Sequence, residues 1–158
     1  MKKIAFIAAV GVLSVACTKW ENKSTEFKVT GLWTGVNQEV AIQALPFLDS
    51  NEVMPTTYME ANFMEDGGLT IDSAGVRLDS MGWSIENDSV LLLRGIELGF
   101  EDPFNGGTSL VPSDLKYNIL SLTQEQFIFR YDTTINLTIP QIPIPVNITV
   151  KQIQRWAK

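Results

Sequence analysis

From Glu26 onward, apolar and polar side chains alternate with a period of two, and turn-forming residues interrupt the alternation about every 8–12 positions. No helical stripe of useful length follows residue 46, so the pattern predicts an all-β chain. The first strand is predicted over Glu26 to Gly35, with Phe27, Val29, Gly31 and Trp33 on one face and Lys28, Thr30 and Thr34 on the other. Asn37 to Leu45 reads either as a strand or as a short helix, and Pro46 stops it. Strands follow over Thr56 to Met64, Leu69 to Ser73, Val76 to Ser80, Gly82 to Glu86 and Ser89 to Arg94. Glu65-Asp66-Gly67-Gly68 and Asn87-Asp88 supply tight turns between them. Leu115 to Leu122 pairs with Gln126 to Thr138 across Thr123-Gln124-Glu125. In the second of these, Phe127, Phe129, Tyr131, Ile135 and Leu137 share a face opposite Gln126, Arg130, Asp132, Thr134, Asn136 and Thr138. Val146 to Trp156 closes the fold.

Two stretches do not fit a central strand. Residues 95 to 114 form a long irregular segment carrying Ile96, Leu98, Phe100 and Phe104 among glycines and acids. They read as a cap on the core, or as a lip or docking surface. Pro140, Pro143 and Pro145 make 139–145 a loop or an edge, stiff enough to serve as a rim or a partner-recognition segment.

The N-terminal segment has a different pattern. Met1-Lys2-Lys3 is basic, and Ile4 to Leu13 is continuously apolar apart from Gly11. As a helix this run rises roughly 15 Å, about half a bilayer core, which predicts an export signal and not a membrane span. Ser14-Val15-Ala16-Cys17 follows, with small residues before the single cysteine of the chain. The segment resembles the lipobox of bacterial lipoproteins. The resemblance implies that the Cys17 thiol carries diacylglycerol, that cleavage removes residues 1–16 as a signal peptide, and that the new N-terminus takes a palmitate-type acyl chain. Ser14 stands where an aliphatic residue is usual, a relaxation similar to that of lipoboxes in the Bacteroidota. Thr18 is not the aspartate that retains enterobacterial lipoproteins at the inner membrane, so the resemblance implies the outer membrane. Several acyl chains give firm anchoring, where one would be marginal. Residues 17–26 are polar and read as a tether, leaving 27–158 as the domain.

Composition narrows the chemistry. The chain has 158 residues, one domain's worth, and a net charge of −6. Loss of Lys2 and Lys3 with the signal leaves ten basic and eighteen acidic side chains, a net of −8. Such a domain repels phosphate backbones, so no nucleic-acid partner is expected. Histidine is absent, which removes the commonest general base and the commonest metal ligand. One cysteine permits neither an internal disulfide nor a Cys-rich metal site. Glu65-Asp66 and Glu101-Asp102 are the adjacent acidic pairs, but neither lies in a calcium-loop pattern, and acids beside Gly or Pro are ordinary turn chemistry. No phosphate-binding loop or nucleophile elbow is present. We expect no enzyme, no cofactor and no metal.

The order of the remaining motifs resembles the lipocalin-like domains of Bacteroidota lipoproteins. Gly31-Leu32-Trp33 matches their opening Gly-x-Trp strand, and Phe63-Met64-Glu65-Asp66-Gly67 their next strand and turn. Trp83-Ser84-Ile85-Glu86-Asn87-Asp88 matches a Trp-containing strand and turn, and Tyr117 to Thr123 with Gln126 to Phe129 a late hairpin. The likeness spans about residues 27 to 156 and implies a meander of about eight antiparallel strands closed into a small barrel or half-barrel. It also implies that Trp33 plugs the closed end under Arg155 from the last strand, a guanidinium over an indole. Strict alternation from Val146 turns Trp156 inward and Arg155 outward, so that pairing requires a bulge near Lys151 or Gln152.

Two functional readings follow. A small apolar ligand is expected in a cavity lined by Trp83, Tyr117, Phe127, Phe129 and Tyr131. Alternatively, the interior is filled by its own side chains and the protein is a structural or interaction subunit of the envelope. In addition, Asp72-Ser73-Ala74, Asp79-Ser80-Met81, Asp88-Ser89-Val90 and Asp132-Thr133-Thr134 resemble the O-glycosylation tripeptide of exported Bacteroidota proteins, with Ser73, Ser80, Ser89 or Thr133 as acceptor.

Overall fold

A computed structural model describes residues 19–46, 48–95, 114–137 and 146–158. The segment read as an export signal with Cys17, the apolar residues Ile96, Leu98, Phe100 and Phe104, the Glu101-Asp102 pair and residues 139–145 lie outside the described residues. Nine strands follow a short helical entry: a 3-10 turn over Trp20–Asn22, then α1 (Thr25–Val29), β1 (Gly31–Ala44), β2 (Leu48–Pro55), β3 (Met59–Phe63), β4 (Gly68–Ser73), β5 (Val76–Glu86), β6 (Val90–Arg94), β7 (Asp114–Leu122), β8 (Gln126–Leu137) and β9 (Val146–Ala157). Every neighbouring pair is antiparallel, and β9 returns to pair with β1. The result is a closed, lipocalin-like antiparallel barrel of eight strands.

Nine strands make eight staves because β2 and β3 share one. Residues 37–44 of β1 pair with β2 on one edge, residues 31–34 pair with β3 on that same edge, and β9 holds the other edge from Thr34 to Gln43. β2 and β3 are therefore one stave interrupted at Thr56–Tyr58. A bulge in β1 between Gly35 and Asn37 sits beside the interruption. There, a Cβ on Gly35 would stand 2.3 Å from the Thr56 carbonyl oxygen, so only glycine fits. Pairing the lower part of β1 with β3 and the upper part with β9 is the stagger that closing a barrel demands.

The turns sort by end. Strands β3, β5 and β7 finish at one end, with α1 and Lys158; β1, β4, β6 and β8 finish at the other. At the first end, Gly67 takes φ +85° and its amide donates to the Met64 carbonyl, while Asp66 accepts from the Gly68 amide. The Glu65-Asp66 pair is thus part of a turn. Asn87 and Asp88 both adopt left-handed backbone (φ 51° and 57°), which these two residue types tolerate and which suits the twist of a hairpin.

Three expectations need correction. Residues 26–29 are helix, not strand: the Ser24 hydroxyl caps the turn by accepting from the Phe27 amide, and Gly31, at φ +117°, resets the chain before β1. Phe27 is consequently outside, 53% exposed, while Val29 is buried. The polar segment before it holds the 3-10 turn at Trp20–Asn22 and the start of α1. Finally, β2 falls on a stretch given no element above, and Val76 to Glu86 is one strand instead of two. The ambiguous Asn37–Leu45 segment is strand, the upper part of β1.

Candidate functional site

The inward faces meet in a single aromatic core. Trp33, Phe63, Trp83, Tyr117, Phe127, Phe129 and Trp156 are buried there with Val29, Ala61, Leu69, Leu91, Leu93 and Leu115. The rings contact one another in sequence. Phe63 stands edge-on to Trp83 at 5.3 Å and to Phe127 at 5.9 Å; Phe127 packs on Trp33 at 5.4 Å and on Phe129 at 4.7 Å. Phe129 stands edge-on to Tyr117 at 5.1 Å, and Tyr117 leans on Tyr131 at 5.5 Å. Tilted and edge-on geometries are those that aromatic quadrupoles favour. The Trp83 indole N–H donates to the Met64 carbonyl, and the Trp33 indole N–H to the Val29 carbonyl at 2.6 Å, so both buried donors are satisfied.

Of the five residues expected to line a cavity, Trp83, Tyr117, Phe127 and Phe129 are packed core, and Tyr131 is half-buried at its upper margin. They are brought together, but as a floor and not as open walls. The physical reason is size: rings on adjacent staves of a small barrel reach across it and fill it. Burial pushes the Tyr117 hydroxyl's pKa well up, with Tyr131 adding to the effect.

Above this floor the inward rows continue with different residues. The β8–β9 register carries the inward face through Tyr131, Thr133 and Ile135 opposite Gln152, Val150 and Ile148. Beyond the bulge, β1 contributes Gln38, Val40 and Ile42, paired with Gln154, Gln152 and Val150. All of these are half-buried although they face inward. An inward side chain of a closed barrel keeps accessible surface only where the space beside it is open. The upper interior therefore presents aliphatic side chains interleaved with amides, which are able to donate and accept hydrogen bonds. One amide is already engaged: Gln154 accepts from the Trp156 indole N–H. The signal for this set lay in the alternation of Val146 to Trp156, but the β1 half was hidden by the bulge that shifts its phase.

The closed end carries a cation, though not the expected one. β9 pairs with β8 without a break from Val146 to Ala157, so no bulge turns Arg155 inward. Arg155 lies outside, donating to Asn37 at 2.9 Å and to Glu39 at 3.2 Å. Lys158 takes its place: its ammonium is 4.5 Å from the Trp33 ring centroid and donates to the Thr30 carbonyl at 3.2 Å. Burial lowers its pKa.

The four candidate acceptor hydroxyls differ in access. Ser80 and Ser89 are exposed, on β5 and in the β5–β6 turn, where the Ser89 hydroxyl donates to the Asn87 carbonyl. Ser73 is half-buried at the end of β4, and Thr133 is half-buried on the inward face of β8. Among the described residues no group of three or more Asp, Glu or Cys side chains converges as a metal site. No helix among them is long and apolar enough to cross a membrane. No family model, curated protein or solved structure matches the chain.

Proposed function

We propose that this chain is a lipid-anchored envelope protein of the outer membrane whose barrel holds a small apolar ligand above the aromatic floor. One observation carries the binding part: burial falls along a single inward row. Phe127 and Phe129 of β8 are 0% and 3% exposed, whereas Tyr131, Thr133 and Ile135, next in the same row, are half-buried. A barrel wholly filled by its own side chains would bury that row throughout. Aliphatic walls would supply most of the binding energy and the Gln38, Gln152 and Gln154 amides would orient one polar group of the ligand. The role is non-catalytic. The anchor part rests on Ser14-Val15-Ala16-Cys17 behind an apolar run too short to span a bilayer.

A second reading is favoured by a different observation, the packed lower half, in which four of the five residues expected around a ligand are core. On that reading the barrel is a filled scaffold and its outer surface works. Native mass spectrometry of the protein, gently purified from its own membrane, separates the two. A lipid-sized mass that leaves on denaturation, and that Val150→Trp displaces, supports the binding module. A polypeptide bare apart from acyl groups on Cys17 supports the scaffold.

A further inference from the structure

A groove of about 440 Å³ opens at the closed end, lined by Trp20, Phe27, Thr30, Glu65 and Lys158. Its walls are apolar and exposed in a way that its position does not require: Phe27 is 53% exposed, and Trp20 lies half-buried beside it. Its polar groups are of opposite sign. The Lys158 ammonium spends one donor on the Thr30 carbonyl and lies 5.7 Å from the Trp20 ring, which leaves two N–H groups for an outside acceptor. Glu65 supplies a carboxylate, and none of the four ion pairs among the described residues joins it to Lys158. The groove also has a fixed place relative to the anchor. Trp20 is the third residue after Cys17, so even a fully extended chain holds the two within about 11 Å.

We propose that the closed end of the barrel rests on the bilayer that carries the anchor, with a zwitterionic phospholipid headgroup seated in this groove. The assignment of the surface rests on lipidation at Cys17. The headgroup phosphate meets Lys158, its ammonium meets Glu65, and the glycerol and first methylenes lie against Trp20 and Phe27. Aromatic rings with a polar edge favour this depth of the membrane. A zwitterion suits the charges better than an anionic lipid, because the exported chain carries a net of −8 and one groove wall is itself a carboxylate. The same placement points the open end of the barrel away from the membrane.

Tryptophan fluorescence tests this. Of the four tryptophans, Trp33, Trp83 and Trp156 are buried in the core, so Trp20 alone is placed to meet lipid. The full-length chain, expressed with its own export segment in a bacterium and purified, is put into vesicles of phosphatidylethanolamine and phosphatidylcholine, part of the latter brominated near the headgroup end of its acyl chains. Its intact mass is recorded in parallel. The expected result is quenching of one emission component, lost in Trp20→Phe and weakened in Phe27→Ser. Acylated protein without Trp20-dependent quenching overturns the docking while the anchor stands. If no acyl mass is found, the anchor fails; the same protein is then added to preformed vesicles, where Trp20-dependent quenching supports the docking and its absence overturns it.

Discussion

Ala74 adopts φ 49° in the two-residue turn between β4 and β5, a left-handed conformation that costs a Cβ-bearing residue roughly 1 kcal/mol. Asparagine bears that conformation more easily, so Ala74→Asn should stabilise the protein by about 0.5–1 kcal/mol, read as a higher urea midpoint with unchanged slope. Tyr117 makes a second prediction. Its folded pKa lies above the ordinary value near 10 because the phenol is buried, so the neutral form is the one that fits the core. Stability is then complete below about pH 10 and falls as pH rises above it, where the unfolded chain ionises first. Tyr117→Phe should flatten that alkaline fall in a series of urea titrations. At this scale the sequence was uneven. The aromatic inward row of β8 was plain, because Phe127, Phe129 and Tyr131 recur at every second position and Ile128 is the only apolar residue on the opposite face. Alternation had already turned Arg155 outward, as it lies; the resemblance alone set it over Trp33, and the cation there is Lys158, a residue just past the end of β9 on which alternation has no say.

Among elements, the least legible were those whose side chains face water on both sides. β2 is exposed at seven of its eight positions, and a strand with no buried face has no period to read. α1 failed for the opposite reason: Phe27 and Val29 happen to sit two apart, and that spacing imitates a strand continuous with Gly31 and Trp33. The Ser24 cap was the signal that distinguishes a helix start, and it needed to be weighed against the alternation. α1 is then fastened to the barrel from several directions. Thr25 donates to the Asp88 carbonyl, Trp33 to Val29, and Lys158 to Thr30. Lys158→Met should remove both the last of these bonds and the contact with the Trp33 ring, lowering stability by about 1–2 kcal/mol while leaving the far-ultraviolet circular dichroism of the barrel unchanged.

At the scale of the molecule, the architecture was readable because turn chemistry and alternation agreed over most of the chain, and agreement between levels is what specifies a fold. Closure was implied by the resemblance and not by the alternation: nothing in the pattern of Val146 to Trp156 names β1 as its neighbour. Trp83, Tyr117, Phe127 and Phe129 turn inward as their alternation directs, but sequence gives the direction of a side chain and not the width of the space it enters. The proposed anchor makes a prediction at this scale too. The exported wild-type chain should lose residues 1–16 and gain acyl mass on Cys17, whereas Cys17→Ser should do neither, as read by intact mass. The pairing of β1 with β9 also bears on how the chain comes into being. An edge of β1 has no partner until the ninth strand has emerged, so a growing chain has eight strands on seven staves and no barrel. Such a chain stays threadable until its final strand is free, which suits the export proposed above.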